Sequence, residues 1–275
     1  MFPSIVDVAG LNRISRQILT RAAGAICGMV EVGVQASACS GGDTPERELQ
    51  QDKPIIVASQ FGNTTECVNH ARKLLEQEGY EVLVFHATGT GGRTMESLIE
   101  AGLVTGVLDI TTTEWADELV GGILGAGPMR LEAAAKHGVP AIVTPGCLDM
   151  VNFGPPETVP AKFNGRRFYQ HNPQVTLMRT TPEECKRLGE IIAGKLNAST
   201  KPVTVLIPLK GISVISTAGQ PFHDPAADHA LFETLKSKLR KDIPVRELDN
   251  NINDAPFAEA CVQALLENIR TRAWH

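Results

Sequence analysis

Nine residues, His86 to Thr94, hold three glycines, three threonine hydroxyls, an imidazole and a guanidinium. Gly89, Gly91 and Gly92 lack a Cβ, so their backbone N–H groups can approach an anion closely. A helix-like stretch follows at once and points its positive end at the same place. Thr88, Thr90, Thr94 and Arg93 add donors. A phosphate or carboxylate suits such a loop. The spacing is neither that of a P-loop nor G-x-G-x-x-G. The competing reading is a tight strand-to-helix turn that binds nothing.

Other short polar loops carry candidate groups. Ser59 and Asn63 lie in SQFGNTT, and Thr112 follows Asp109 in DITTTEW. Either loop could orient a ligand; either could simply cap the next helix. Cys147, in Pro145-Gly146-Cys147, is a candidate nucleophile, with His86 or His171 as its base. A buried structural cysteine is the alternative. Asp149, Asn152 and His171 could add hydrogen bonds. Lys210 could meet an anion or remain a solvated turn lysine. His223-Asp224-Pro225 reads most simply as a helix cap. Among these, His86 is the candidate for proton transfer, because imidazole as a group titrates near neutral pH.

The elements that must position these groups follow from periodicity. Apolar residues at 8, 11, 14, 18, 22, 26 and 29 predict one long opening helix. After Pro54 the pattern changes to short β-branched runs, PIIVAS, EVLVFHA, VTGVLDI, PAIVTPG, VTVLIPLKG and VRELD, with QVTLMRT as a further strand. Single helices separate most of them. Thr181 and Glu184 form the pattern of a capping box, and Asp224 caps the helix of DPAADHALFETLKSKLRK. Met129 to His137 reads as a helix opened by Pro128. Strands alternating with helices imply parallel pairing. The expected fold is an open, doubly wound, mainly parallel α/β sheet of five or six strands, Rossmann-like, preceded by a long N-terminal helix. Residues 1–53 form that helix and a linker, and residues 54–275 the α/β domain. In such a sheet ligands bind at the carboxyl ends of the strands.

Composition narrows the function classes. The net charge of −5 advertises neither nucleic acid nor anionic membrane as a partner. No stretch approaches the ~18 apolar residues of a membrane span. The N-terminus lacks the pattern of a signal peptide, so a cytoplasmic protein is expected. The six cysteines are scattered singly, with no metal-binding spacing, and are expected to be reduced. No metal site is expected.

The strings HATGTGGRTMESLI, GVLDITTTEWADELVGG, TPGCLDMVNFG, HNPQVTLMRTT, PFHDPAADHALFETL and INDAPFA resemble those of a family of uncharacterised bacterial, fungal and plant proteins. It is the family of the tomato mosaic virus resistance protein, whose N-terminal region inhibits tobamovirus RNA replication. The resemblance runs from about Val6 to the end. It implies a preceding α/β domain that carries the family's ATP association and is absent here, so the chain resembles a C-terminal half. The implied arrangement is two Rossmann-like lobes with a ligand between them.

These readings combine into one expectation. A small anionic molecule, phosphate- or carboxylate-bearing, a class that includes nucleotides, docks at the strand ends. Ser59, Asn63, Thr88, Gly89, Thr90, Gly91, Gly92, Arg93, Thr112, Asp149, Asn152 and His171 hold it, and His86 and Cys147 act on it. The alternative is a ligand-sensing or protein-interaction module without catalysis. The expected partners are the missing lobe or a split partner subunit, and a second copy of the chain in a homo-oligomer.

Overall fold

Alternate residues of each apolar run enter opposite cores, and this alternation organises the fold. In the first strand, Ile55 and Val57 join one hydrophobic cluster, while Ile56 and Ala58 join the other. A strand buried on both faces lies inside a parallel sheet covered by helices on both sides. The computed structural model describes residues 53–272. The opening helix expected over residues 8–30 lies outside them.

Six strands form the main sheet: β1 (Ile55–Gln60), β2 (Glu81–His86), β3 (Gly106–Thr111), β4 (Ala141–Gly146), β8 (Val203–Pro208) and β9 (Val245–Leu248). Their spatial order is β2-β1-β3-β4-β8-β9, and every pairing is parallel. One face carries α2 (Thr90–Glu100), α3 (Glu114–Val120), α4 (Ala133–His137), α5 (Pro182–Leu196) and α6 (Pro225–Lys238), with α6 packed on α5. The other face carries α1 (Thr65–Gln77) and α7 (Ala255–Arg272), which pack on each other. The doubly wound parallel sheet expected from sequence is therefore present.

Three features depart from the sequence expectation. QVTLMRT does not join the parallel sheet. It forms β7 (Val175–Arg179), the centre of a separate antiparallel sheet between β5 (Met150–Phe153) and β6 (Phe168–Asn172). That small sheet closes a third cluster with Cys147, Ile215 and Phe222. The helix expected from Met129 starts only at Ala133, because Leu131 has a φ of 71° and Arg130 turns into the interior. The helix after the glycine loop starts earlier than expected, at Thr90, and takes Gly91 and Gly92 into its first turn. The capping box of Thr181 and Glu184 and the Asp224 cap form as expected.

Candidate functional site

The glycine loop does hold an anion, and the anion belongs to the protein. Glu114, fully buried in the first turn of α3, places Oε1 at 2.7 Å from the Gly89 amide and 3.1 Å from the Gly92 amide, and both N–H groups donate to it. A Cβ on Gly92 would lie 2.2 Å from Glu114 Oε2, and one on Gly91 would lie 1.8 Å from the His86 carbonyl oxygen. The glycines are thus required by close packing of backbone and carboxylate. Arg93 is exposed and donates to the Gly125 carbonyl and to Thr90 Oγ1. Two of the three glycine amides expected to receive a ligand, those of Gly89 and Gly92, are already satisfied.

Glu114 is one corner of a buried ion cluster. Arg130, with a side chain 1% exposed, forks onto Asp109 at 2.6 and 2.7 Å. Its Nε donates to Glu114 Oε2 at 2.7 Å, and Nη1 reaches Glu96 Oε1 at 3.2 Å. Glu96 also accepts the backbone amides of Leu131 and Ala133. Burial pushes the Glu96 carboxyl up, and the Arg130 charge opposes that shift. Ser59 Oγ donates to Asp109 at 2.6 Å and accepts the Thr111 amide at 2.8 Å. One guanidinium therefore ties α2, β3, α3 and the start of α4 together, and Ser59 belongs to this frame.

The crevice outside β1 and β3, where the strand order reverses and ligands are favoured, is filled by the protein itself. Thr64 and Thr111 hydroxyls share a hydrogen bond of 2.7 Å. Asn63 gives its carbonyl to Asn253 Nδ2 and points its own amide at the Met150 sulfur. Thr112 Oγ1 donates to the Thr144 carbonyl. Asn152 is bound to Asp117 through its backbone N–H at 2.7 Å and its side-chain amide at 2.6 Å. Burial pushes Asp117 up to about 7 despite these donors.

The candidate catalytic pair does not assemble. His86 ends β2 at the sheet edge, exposed, with β1 and β3 between it and β4. Three strand spacings separate the two strand ends by about 14 Å. His171 lies exposed on β6. Cys147 has no solvent exposure and sits among Met150, Leu177, Ile215 and Phe222. Burial, with a smaller effect of the Asp149 charge, holds its thiol well above its ordinary pKa, so it stays protonated. Its φ of 58° turns the chain from β4 into the loop that leads to β5. Asp149 is buried, accepts from Ser213 Oγ at 2.7 Å, and is pushed up by burial.

An open site exists at the other end of the strand row. Beyond β8 and β9 a groove of about 650 Å³ is lined by Lys210, Thr217, His223, Asp228, His229 and Asn251, with Leu209 and Phe232 among its apolar walls. Lys210 forms a surface pair with Asp249 at 2.8 Å; both side chains are more than half exposed. Such a pair is worth about 0–1 kcal/mol and yields readily to another anion. Asp228 is 14% exposed and meets buried Arg179 at 2.5 Å. Burial pushes Asp228 up to about 6, against the lowering effect of Arg179. Arg179 is further held by the Phe222 carbonyl at 2.8 Å and Thr180 Oγ1 at 2.9 Å. Lys210 and the His223 segment were visible in the sequence. Asp228, His229 and Asn251 were not singled out: the first two lie inside a regular helical pattern, and Asn251 in a loop that reads as solvated. Among the described residues no group of three or more His, Cys, Asp or Glu side chains is arranged to hold a metal ion.

Fold and site define the class: a doubly wound, parallel α/β protein with a polar groove at one end of its strand row. Residues 53–269 match the model of the C-terminal domain of the uncharacterised protein family UPF0261, and residues 1–35 match that of its N-terminal domain. The chain belongs to the UPF0261 family. It is 52% identical over 267 residues to a UPF0261 protein of Clostridium tetani, covering 97% of this chain and 63% of that protein. It is 43% identical over 269 residues to the ToMV resistance protein Tm-1(GCR237) of Solanum lycopersicum, covering 97% of this chain and 35% of that protein. The chain thus spans less than two thirds of the length of these relatives. Among solved structures, the esterase domain of a Rhodothermus marinus protein is similar at a TM-score of 0.46 and 12% identity, covering 82% of this chain and 89% of that one. No helix of the described residues is long and apolar enough to cross a membrane.

Proposed function

We propose that this chain binds a small phosphate- or carboxylate-bearing molecule in the groove beyond β8 and β9, and that Asp228 exchanges a proton with it. The observation that carries this reading is the groove itself. Its volume of about 650 Å³ falls within the ~300–1,000 Å³ of small-molecule sites. It lies at the carboxyl ends of parallel strands, where such folds bind ligands. Lys210 brings a cation to it, and His223 and His229 bring imidazoles, opposite one carboxyl that pairs with Arg179. A carboxyl that titrates at about 6 at the wall of an open groove is suited to proton transfer.

Isothermal titration with inorganic phosphate and simple phosphate esters tests the reading. Lys210→Ala should weaken binding roughly 10- to 100-fold, as expected for one charge-assisted hydrogen bond. Arg93→Ala, on the self-occupied glycine loop, should leave binding unchanged. The opposite pattern would return the site to the glycine loop. Titrations near pH 6 in buffers of different ionisation enthalpy should show proton exchange that shrinks in Asp228→Asn.

A further inference from the structure

The groove beyond β8 and β9 has a mixed lining. Lys210 brings the charge, on a side chain that is more than half exposed. Its chain neighbour Leu209 lines the same groove and is 46% exposed. Exposed Ala218 and Pro225 and the nearly buried Phe232 extend the apolar part of the lining. Val214, 50% exposed, lies two residues before Ser216, which also lines the groove. A hydrophobic side chain exposed singly is ordinary and needs no explanation. Leu209 differs, because it shares a concavity with other apolar groups and with a cation. Small-molecule sites have this make-up: mostly apolar walls and a few placed polar groups.

The turn that carries Leu209 and Lys210 is pinned by its backbone. The Leu209 amide donates to the Leu248 carbonyl at 2.9 Å, and the Lys210 amide to the Asn250 carbonyl at 3.0 Å. One residue on, the Gly211 carbonyl accepts the Ile252 amide at 2.9 Å. Three consecutive residues are thus stitched to the segment after β9. The cation and the apolar side chain beside it are presented together on a fixed frame, so a ligand that uses both need not order that backbone. Inorganic phosphate at Lys210 would leave Leu209 and its apolar neighbours in water. An apolar group attached to the anion would cover them, and each methylene so buried strengthens binding about four-fold.

We infer that the ligand of this groove is an organic anion with an apolar body: its phosphate or carboxylate meets Lys210, and its alkyl chain or ring covers Leu209 and the apolar lining. This rests on the groove reading above and names the ligand class within it. Alkyl phosphates and aliphatic or aromatic carboxylates share that chemistry. Inorganic phosphate and polyhydroxylated phosphates of equal charge do not.

Methyl, propyl and pentyl phosphate, titrated calorimetrically into the full chain, separate the outcomes. Wild-type affinity should rise roughly two- to four-fold per added methylene. Glycerol 3-phosphate, which has the carbon skeleton of propyl phosphate but carries two hydroxyls, should bind more weakly than propyl phosphate. Leu209→Asn should flatten the series and leave methyl phosphate affinity within about two-fold, which also shows that the variant folds; Leu209→Met should keep the slope. Lys210→Ala should weaken every member by one common factor. Wild-type affinities that ignore chain length, with methyl phosphate still sensitive to Lys210→Ala, would overturn the inference and leave the groove reading standing. A slope that survives in Leu209→Asn, or glycerol 3-phosphate binding as tightly as propyl phosphate, would also overturn it. Failure of every phosphate to bind would remove the groove reading and this inference with it.

Discussion

Replacing Arg130 with methionine removes one cation and strands three carboxylates. Glu114 is fully buried, Asp109 is 2% exposed and Glu96 is 12% exposed, so none can turn to water without moving α2, β3 or α3. Breaking a buried ion pair by deleting one partner costs about 3–5 kcal/mol. A domain of this size has a total stability of about 5–15 kcal/mol. At roughly 2–4 °C per kcal/mol, Arg130→Met should lower the midpoint by about 6–20 °C in thermal unfolding followed by circular dichroism. Arg130→Lys should recover part of this loss, because one ammonium cannot fork onto Asp109 while reaching Glu114 and Glu96. The pH dependence has a definite sign. Burial already raises Glu96, and without Arg130 it rises further. The stability of a carboxyl raised in the folded state is present at low pH and lost as pH rises. The defect should therefore be smaller at pH 4.5 than at pH 7.5. A loss below about 1 kcal/mol, or a defect that grows toward acid pH, would refute the view that this cluster clamps the frame.

Two further variants probe neighbouring contacts. Gly92→Ala gains helix propensity of about 1 kcal/mol on the surface of an ordinary helix, but here its Cβ would lie 2.2 Å from Glu114 Oε2. Urea unfolding should show a net loss of about 2–4 kcal/mol, and a stabilised variant would contradict the occupied loop. Asp117 rises from 3.8 to about 7 on folding. Its contribution is therefore present below pH 4 and lost as pH climbs through 7. Between pH 5 and pH 8 the wild type should lose about 2–3 kcal/mol that Asp117→Asn does not lose, and parallel stability profiles for the two proteins would rule that out.

What the sequence revealed was local. The runs IIVASQ and VTVLIP are apolar on both faces, so their burial in a parallel sheet could be read directly. Thr181 and Glu184, or Asp224 before Pro225, form caps within four residues of chain, and such motifs need no tertiary information. The antiparallel sheet was harder. β6, FYQHN, is largely exposed and carries no alternating apolar signal, and its partner β7 resembles a parallel strand in composition. Arg130 interrupts a run that would otherwise be helical, and only the fold brings Asp109, Glu114 and Glu96 around it. From sequence the glycine loop reads as a seat for an anionic ligand; in the fold the carboxylate beside it is Glu114. Glu114 fills it from 22 residues away from Gly92, a distance at which sequence gives no pairing signal. The groove is likewise assembled from three separated segments, around Lys210, Asp228 and Asn251, each of which looks like an ordinary turn or helix start alone.

Crystals soaked in phosphate would test the groove most directly. Density should appear between Lys210 and the wall formed by His223 and His229, with Glu114 still bound to the Gly89 and Gly92 amides. Phosphate at those amides with Glu114 displaced, or no anion in the groove at a concentration that protects the protein in solution, would contradict the assignment.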